Sequence, residues 1–133
     1  MTDLPHGDVS EFLAAESFAV VGASNDPSKY GNRVYRDLRS KGRKVFPVNP
    51  KARRIEGDPC YPDLKNLPEK PQVVVFVVPP EVSLMVAKQA HELGIGKLWF
   101  QPGAEDDSVL EFCEQHGLDV VHSMCMMTYS ERS

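Results

Sequence analysis

Short apolar runs alternate with amphipathic segments along this chain. Residues 18–21 and 45–48 are apolar runs of strand length, and residues 98–100 and 120–121 form two shorter ones. Residues 73–78, with the sequence VVVFVV, are the most apolar and most β-prone stretch, so we expect them at the centre of a sheet with both faces covered. The pattern therefore predicts five strands.

Helical segments fill most of the gaps between these strands. Apolar residues recur at four-residue spacing from Tyr30 to Leu38 with charged residues between them, and Gly42 follows as a stop signal. Residues 80–93 begin with a proline, which suits a first helical turn, and residues 105–116 end before a glycine. Both segments are therefore predicted to be helices. Residues 57–67 are dense in turn formers, and we expect at most a short edge strand and one helical turn there.

Strands that alternate with helices indicate βαβ units with right-handed crossovers. We therefore predict an α/β, Rossmann-like three-layer sandwich with a mostly parallel sheet of five or six strands. A length of 133 residues fits one domain, spanning residues 1–133 with a few flexible residues at each end. Ligands of such sheets bind beyond the carboxyl ends of the strands. The segments that follow the strands are thus the candidate site.

Composition excludes several other classes of protein. The chain is 41% hydrophobic and 26% charged, as in ordinary globular proteins. Its N-terminus lacks the features of a secretory signal, and no apolar run approaches the roughly 18 residues of a membrane span. Its three cysteines lack CxxC spacing, which argues against a disulfide framework or a zinc site. We therefore expect a cytoplasmic protein with reduced thiols, no metal and no membrane partner.

The net charge of −4 conceals an uneven distribution. Residues 29–54 hold ten of the fifteen Lys and Arg residues but only one acid, Asp37. This asymmetry suits a polyanionic ligand, and a solvated basic helix face remains the alternative. Nucleic acid is disfavoured, because the aromatic residues Tyr30, Tyr35 and Phe46 lie where a core would use them.

The turn after the first strand leads directly into a helix. Backbone N–H groups and the helix dipole favour a phosphate at such a point, and small residues permit its close approach. The segment does not match the GxGxxG fingerprint, so a simple turn remains the alternative. The predicted phosphate contacts are Gly22, Ala23, Ser24, Asn25, Lys29, Tyr30, Gly31 and Asn32.

The end of the second strand is basic and has no acid. A domain that binds NAD normally places a carboxylate there for the ribose hydroxyls, but no Asp or Glu lies between Asp37 and Glu56. A basic cluster instead suits an additional ribose phosphate, as in coenzyme A (CoA) or NADP, and a solvated basic turn is the alternative. The residues concerned are Asn49, Pro50 and Lys51, followed by Arg53 and Arg54.

The remaining strand ends offer weaker signals. Val78, Pro79 and Pro80 present apolar surface that suits an adenine or pantetheine group, while the amide of Gln101 and the N–H of Gly103 could meet a ligand. Near the C-terminus, Cys125 is a candidate reactive thiol or an inert small hydrophobe, and its spacing from His122 does not establish a pair. No complete catalytic set is identifiable.

Five segments together resemble the small bacterial and archaeal CoA-binding domain family, which is related to the CoA-binding domain of the succinyl-CoA synthetase α-subunit. The resemblance covers residues 12–127, in the order VVGASNDPSKYGNRV, FPVNPK, VVVFVVPP, LWFQPGAE and DVVHSMC. It implies a CoA diphosphate at residues 22–31, ribose or phosphate contacts from residues 49–51, and adenine beside residues 78–80. It also implies a pantetheine arm running toward Gln101, Gly103 and Cys125. Many small members have Asp-Arg where this chain has Ser123-Met124.

The leading hypothesis is therefore a CoA or acyl-CoA binding protein that is not an enzyme by itself. One alternative is an NADP-binding, reductase-like domain. Another is the CoA-binding subunit of a separately encoded acyl-CoA ligase. The expected partners are the cofactor and either a second copy of the chain or a ligase subunit.

Overall fold

Five parallel strands form the central sheet of the computed structural model, which describes residues 9–123. The strands are β1 (Ser17–Val21), β2 (Lys44–Val48), β5 (Val73–Phe76), β6 (Lys97–Phe100) and β7 (Asp119–His122), and they lie side by side in the order β2-β1-β5-β6-β7. All four neighbouring pairs are parallel. The predicted α/β Rossmann-like fold is confirmed, and β5 lies at the centre of the sheet as expected.

Helices cover both faces of this sheet. They are α1 (Val9–Leu13), α2 (Tyr30–Ser40), α3 (Pro80–Glu92) and α4 (Asp107–Gln115). Side chains of β5 alternate between two apolar clusters: Val74 and Phe76 pack with α3 and α4, whereas Val73 and Val75 pack with α1 and α2. Because both faces of β5 are buried, its sequence is a continuous apolar run rather than an alternating one.

The turn-rich segment before β5 forms a small hairpin and one helical turn. Strands β3 (Arg54–Ile55) and β4 (Asp58–Pro59) are antiparallel and stand apart from the main sheet, and Leu64–Asn66 form a 3₁₀ turn. Between the hairpin and this turn, Tyr61 forms a parallel bridge to Val48 at the end of β2. This segment therefore adds no sixth strand to the main sheet, and it borders the carboxyl end of β2.

Two element boundaries differ from the predictions by two residues, each for a physical reason, and others differ by one. β5 ends at Phe76 rather than at residue 78, because the chain turns toward Pro79 and Pro80, which have no N–H for a ladder. α4 begins at Asp107, because the Asp106 carboxylate caps it by accepting the Val109 N–H at 3.0 Å. Among residues 9–123, no helix combines the length and the apolar character that crossing a membrane requires.

Candidate functional site at the carboxyl ends of the strands

Two adjoining cavities open where the strands of the main sheet end. The first cavity, of about 640 Å³, lies between the β1–α2 loop, the end of β2 and one side of α3. The second cavity, of about 420 Å³, lies between the β5–α3 and β6–α4 loops. Tyr30 and residues 77–79 line both cavities, so the two spaces meet across them.

Most residues of the predicted site line one of these cavities. Those in the first cavity are Gly22, Ser24, Lys29, Tyr30, Gly31, Asn49, Pro50, Lys51, Val78 and Pro79. Those in the second cavity are Tyr30, Val78, Pro79, Pro80, Gln101 and Gly103. The structure therefore brings together segments that are far apart in the sequence.

Two glycines allow α2 to begin directly against the end of β1. Gly22 has a φ of 98°, and a Cβ there would overlap the carbonyl oxygen of Val77. A Cβ on Gly31, in the first turn of α2, would overlap the carbonyl oxygen of Gly22. Only backbone fits at either position, so the N-terminus of α2 is held at the first cavity.

The N-terminus of α2 carries no capping side chain. Its N-cap residue is Lys29, which makes no side-chain cap hydrogen bond, and the first turn contains no acid. The N-terminus of α4, by contrast, is capped by Asp106. The Asn32 N–H donates to the Lys29 carbonyl at 3.1 Å, whereas the N–H groups of Tyr30 and Gly31 have no acceptor among the described residues. These two groups and the positive end of the α2 dipole therefore remain available for an anion in the first cavity.

Hydrogen bonds within the loop before α2 fix its shape. Asp26 accepts the Ser28 N–H at 3.0 Å and the Ser28 hydroxyl at 2.7 Å, and these bonds lower the pKa of the Asp26 carboxyl. The Asp26 N–H is in turn donated to Oγ of Ser24 at 3.0 Å. The loop is thus ordered by its own side chains.

Three predicted phosphate contacts face away from the cavities. Ala23 is fully buried, and Asn25 holds the β3–β4 hairpin by donating to the Arg54 carbonyl at 2.8 Å and accepting the Glu56 N–H at 2.9 Å. Buried Asn32 donates to the Ser24 carbonyl at 2.8 Å and to the Glu56 carboxylate at 2.7 Å. The two asparagine side chains link the loop to the hairpin, and none of the three residues lines either cavity.

At the end of β2, only part of the basic cluster reaches the first cavity. Asn49 donates to the Ala23 carbonyl at 2.8 Å and accepts the Lys51 N–H at 2.8 Å, which orders the turn. Pro50 and Lys51 then line the cavity. Arg53 and Arg54 line neither cavity, and Arg54 donates to the Gly57 carbonyl at 2.8 Å. Lys51 is therefore the basic side chain that the turn after β2 supplies to the first cavity.

Several cavity residues were missed by the sequence analysis. Asp63 lines the first cavity because the 61–63 segment runs beside the end of β2, where the Asn49 N–H is donated to the Tyr61 carbonyl at 2.9 Å. One carboxylate oxygen of Asp63 accepts both the backbone N–H and the side-chain amide of Asn66, and the other oxygen has no partner among the described residues. The facing wall comes from α3 and is formed by Val82, Met85, Val86 and Gln89. No local signal predicts Asp63, because its position depends on pairing with a distant strand.

The family model described as "CoA binding domain" matches residues 16–131. This chain belongs to the CoA-binding domain family. Its relatives include the α subunit of acetate–CoA ligase (ADP-forming) II of Pyrococcus furiosus, which is 26% identical over 86% of this chain and 28% of the relative. Acetate–CoA ligase (ADP-forming) I of Archaeoglobus fulgidus is 32% identical over 81% of this chain and 17% of the relative. The CoA-binding domain chain thus spans less than a third of these relatives.

Solved structures of different sizes share the fold of this CoA-binding domain chain. A conserved hypothetical protein of Pyrococcus furiosus superposes with a TM-score of 0.83 at 49% identity, over 86% of this chain and 98% of that one. A hypothetical protein of Pyrococcus horikoshii superposes with a TM-score of 0.89 at 34% identity, over 94% of this chain and 89% of that one. The apo form of the dinucleotide-forming acetyl-coenzyme A synthetase 1 of Ca. Korarchaeum cryptofilum superposes with a TM-score of 0.70 at 31% identity. The match covers 86% of this chain and 27% of that one. The same domain therefore occurs in small chains and within larger enzymes.

The thiols of this CoA-binding domain chain are placed differently from one another. The predicted reactive thiol, Cys125, lies outside the described residues, and so does any contact between it and His122. Cys113 is fully buried on α4, and burial raises the pKa of its thiol to about 12. Cys60 is partly buried, which also raises the pKa of its thiol. Neither thiol lines a cavity, and the described residues contain no cluster of three potential metal ligands.

Proposed function

We propose that this CoA-binding domain protein binds CoA or an acyl-CoA across the two cavities without converting it by itself. The observation that carries the proposal is the uncapped N-terminus of α2, which opens into a cavity that Lys29 and Lys51 also line. A helix N-terminus and two ammonium groups suit a ligand with a diphosphate and a third phosphate. Membership of the CoA-binding domain family supports the choice of CoA.

The order of the strands suggests how the cofactor lies. In doubly wound sheets the diphosphate sits at the first βα turn and the adenosine lies toward the second strand. The diphosphate would then bind at Gly22, Ser24 and Gly31, with the ribose 3′-phosphate at Lys51. The pantetheine arm would cross Val78 and Pro79 into the second cavity.

The walls of the first cavity suit an adenine ring. Val82, Met85 and Val86 of α3 offer apolar surface beside Val78 and Pro79. The free carboxylate oxygen of Asp63 is an acceptor for the adenine amino group or a ribose hydroxyl. Asp63, which the sequence analysis did not predict, would then hydrogen-bond the adenosine. The phosphates that Lys51 would hold would lie at a distance from it.

A binding role without chemistry rests on the residues that line the cavities. No histidine among the described residues lines either cavity, and Oγ of Ser24 accepts the Asp26 N–H. The described residues that line the two cavities therefore do not pair a nucleophile with a histidine general base. We accordingly propose that the protein holds, carries or buffers its cofactor.

Titration calorimetry with CoA, 3′-dephospho-CoA and NADP tests this function. We expect CoA to bind and dephospho-CoA to bind more weakly by about 1.5–3 kcal/mol, the usual contribution of hydrogen bonds to charged groups. NADP should also bind more weakly, because it has no pantetheine arm for the second cavity. Tighter binding of NADP would favour a reductase-like domain, and the absence of heat for all three ligands would refute the proposal.

A second candidate role follows from the identity of the relatives. They include a subunit of an acetate–CoA ligase, and this chain spans less than a third of their length. The protein would then supply the CoA-binding part of a ligase whose other parts lie on another chain. Affinity purification from the native host tests this role: a stable complex with such a chain supports it, and recovery of only monomers or homodimers argues against it.

A further inference from the structure

The two cavities differ in charge. Lys29, Lys51 and the α2 N-terminus give the first cavity its positive groups. The second cavity has no charged side chain among the described residues that line it: three prolines, two valines, Gly103 and Ala104 supply apolar surface, while Gln101 and Tyr30 supply the polar atoms. Among the described residues that line the two cavities, positive charge is thus confined to the end proposed for the phosphates.

A carboxylate lies immediately beyond the second cavity. Glu105 follows the lining residue Ala104, and its side chain is only 12% exposed. Oε2 of Glu105 accepts the Ser123 hydroxyl at 3.2 Å and lies 3.4 Å from Nδ1 of His122. Oε1 is buried and has no hydrogen-bond partner among the described residues. Water therefore screens this carboxylate poorly.

Sheet register confirms that this cluster belongs to the ligand edge. Phe100 of β6 pairs with His122 of β7, so Ser123 lies level with Gln101 beyond the strand ends. Ser123 has a φ of 63°, a left-handed conformation that costs energy in a residue with a side chain and that places its hydroxyl on Glu105. The negative group and the second cavity therefore share the β6–α4 loop and the adjoining end of β7.

We propose that the second cavity selects CoA thioesters whose acyl group is uncharged and rejects those whose acyl group ends in a carboxylate. This inference rests on the proposed function, in which the pantetheine arm carries the acyl group into the second cavity. An acyl carboxylate would enter apolar surface without a cationic partner among the described lining residues, and it would approach the Glu105 carboxylate, which follows the lining residue Ala104. Both effects disfavour it, because a charge without a partner loses hydration and like charges repel.

The expected selectivity follows from the size of this repulsion. Two like charges about 8 Å apart, at an effective dielectric constant of about 20, weaken binding roughly thirtyfold. We therefore expect acetyl-CoA to bind within about threefold of CoA, whereas succinyl-CoA binds at least about tenfold more weakly than acetyl-CoA. Both constants are measured by calorimetry on the full chain.

Three variants separate the causes of this selectivity. Glu105→Gln removes the charge while keeping the size, and it should reduce the preference for acetyl-CoA over succinyl-CoA at least about threefold, leaving the part that comes from the apolar lining. Asp107→Asn removes the same charge from an exposed side chain two residues away and should leave the ratio unchanged within about twofold. Pro102→Lys places an ammonium group at an exposed lining position and should strengthen succinyl-CoA binding at least tenfold relative to acetyl-CoA.

The possible outcomes distinguish this inference from the proposed function. Equal binding of acetyl-CoA and succinyl-CoA by the wild type overturns the inference while leaving CoA binding intact. A ratio that Glu105→Gln leaves unchanged overturns the role of Glu105, and if that variant does not fold, an unchanged ratio in Pro102→Lys overturns the proposal. Failure of CoA and both thioesters to bind overturns the proposed function as well.

Discussion

Contact between the backbones of Gly22 and Gly31 determines where α2 starts relative to the sheet. Gly22 follows an apolar run, and this position alone predicts a turn. The need for glycine at position 31 was not predictable, because it arises from a carbonyl oxygen nine residues earlier that meets the helix only in the folded state. The same holds for Asn25 and Asn32, whose partners lie on a hairpin more than twenty residues away.

Replacing Gly31 with alanine should lower the free energy of unfolding by about 1–3 kcal/mol, the usual cost of overpacking, although alanine favours helices. The added Cβ overlaps the Gly22 carbonyl, so α2 must shift and CoA binding should weaken with it. Urea denaturation and calorimetry measure the two effects.

Gly96→Ala is the matched control for this substitution. A Cβ at Gly96 meets no atom within 4 Å, and the backbone there is not left-handed. We expect its stability to stay within about 0.5 kcal/mol of the wild type. If Gly31→Ala were as stable as Gly96→Ala, the close approach of α2 to β1 would be contradicted.

At the scale of elements, α2 binds the β3–β4 hairpin through polar side chains. The hydroxyl of Tyr35 donates to Asp58, and Arg39 pairs with the same carboxylate at 2.7 Å. The periodicity of apolar residues predicted α2 itself, but not this second contact surface. Part of the basic charge between residues 29 and 54 therefore serves the fold rather than a polyanionic ligand.

Removing the Tyr35 hydroxyl should have a pH-dependent cost. The hydrogen bond from Tyr35 is the main cause of the lowered pKa of Asp58, and Arg39 adds to it. A lowered pKa in the folded state stabilises the protein above the unfolded-state pKa of about 4, and this stabilisation is lost as the pH falls through the folded-state value. Tyr35→Phe should therefore cost about 1–2 kcal/mol at neutral pH and less in acid.

Urea denaturation of Tyr35→Phe and the wild type at neutral pH and near pH 3 measures this difference. Tyr61→Phe serves as the control, because the Tyr61 hydroxyl makes no hydrogen bond among the described residues while its ring contacts Phe46. The difference in the free energy of unfolding between Tyr35→Phe and the wild type should be smaller near pH 3 than at neutral pH. A gap that stays constant or widens would contradict the role of Asp58.

At the scale of the whole molecule, the order of the strands gathers the candidate segments within residues 9–123 at one edge. This much was predictable, because alternating strands and helices restrict the topology and parallel strands end at a common edge. Asp63 and the wall from α3 were not predictable, because the first depends on the bridge between Val48 and Tyr61 and the second on the packing of α3. The sequence thus indicated the edge and the phosphate loop, and tertiary packing determined which side chains line the cavities.

The most direct test of the account compares the binding of CoA and 3′-dephospho-CoA by the wild type, Lys51→Ala and Arg53→Ala. The central claim is that the first cavity holds the adenosine end of CoA with its 3′-phosphate at Lys51, whereas Arg53 lies outside the cavity. The account predicts that the wild type and Arg53→Ala prefer CoA by at least about tenfold, and that Lys51→Ala binds both ligands alike. A wild type without this preference, or a Lys51→Ala variant that keeps it, would contradict the account.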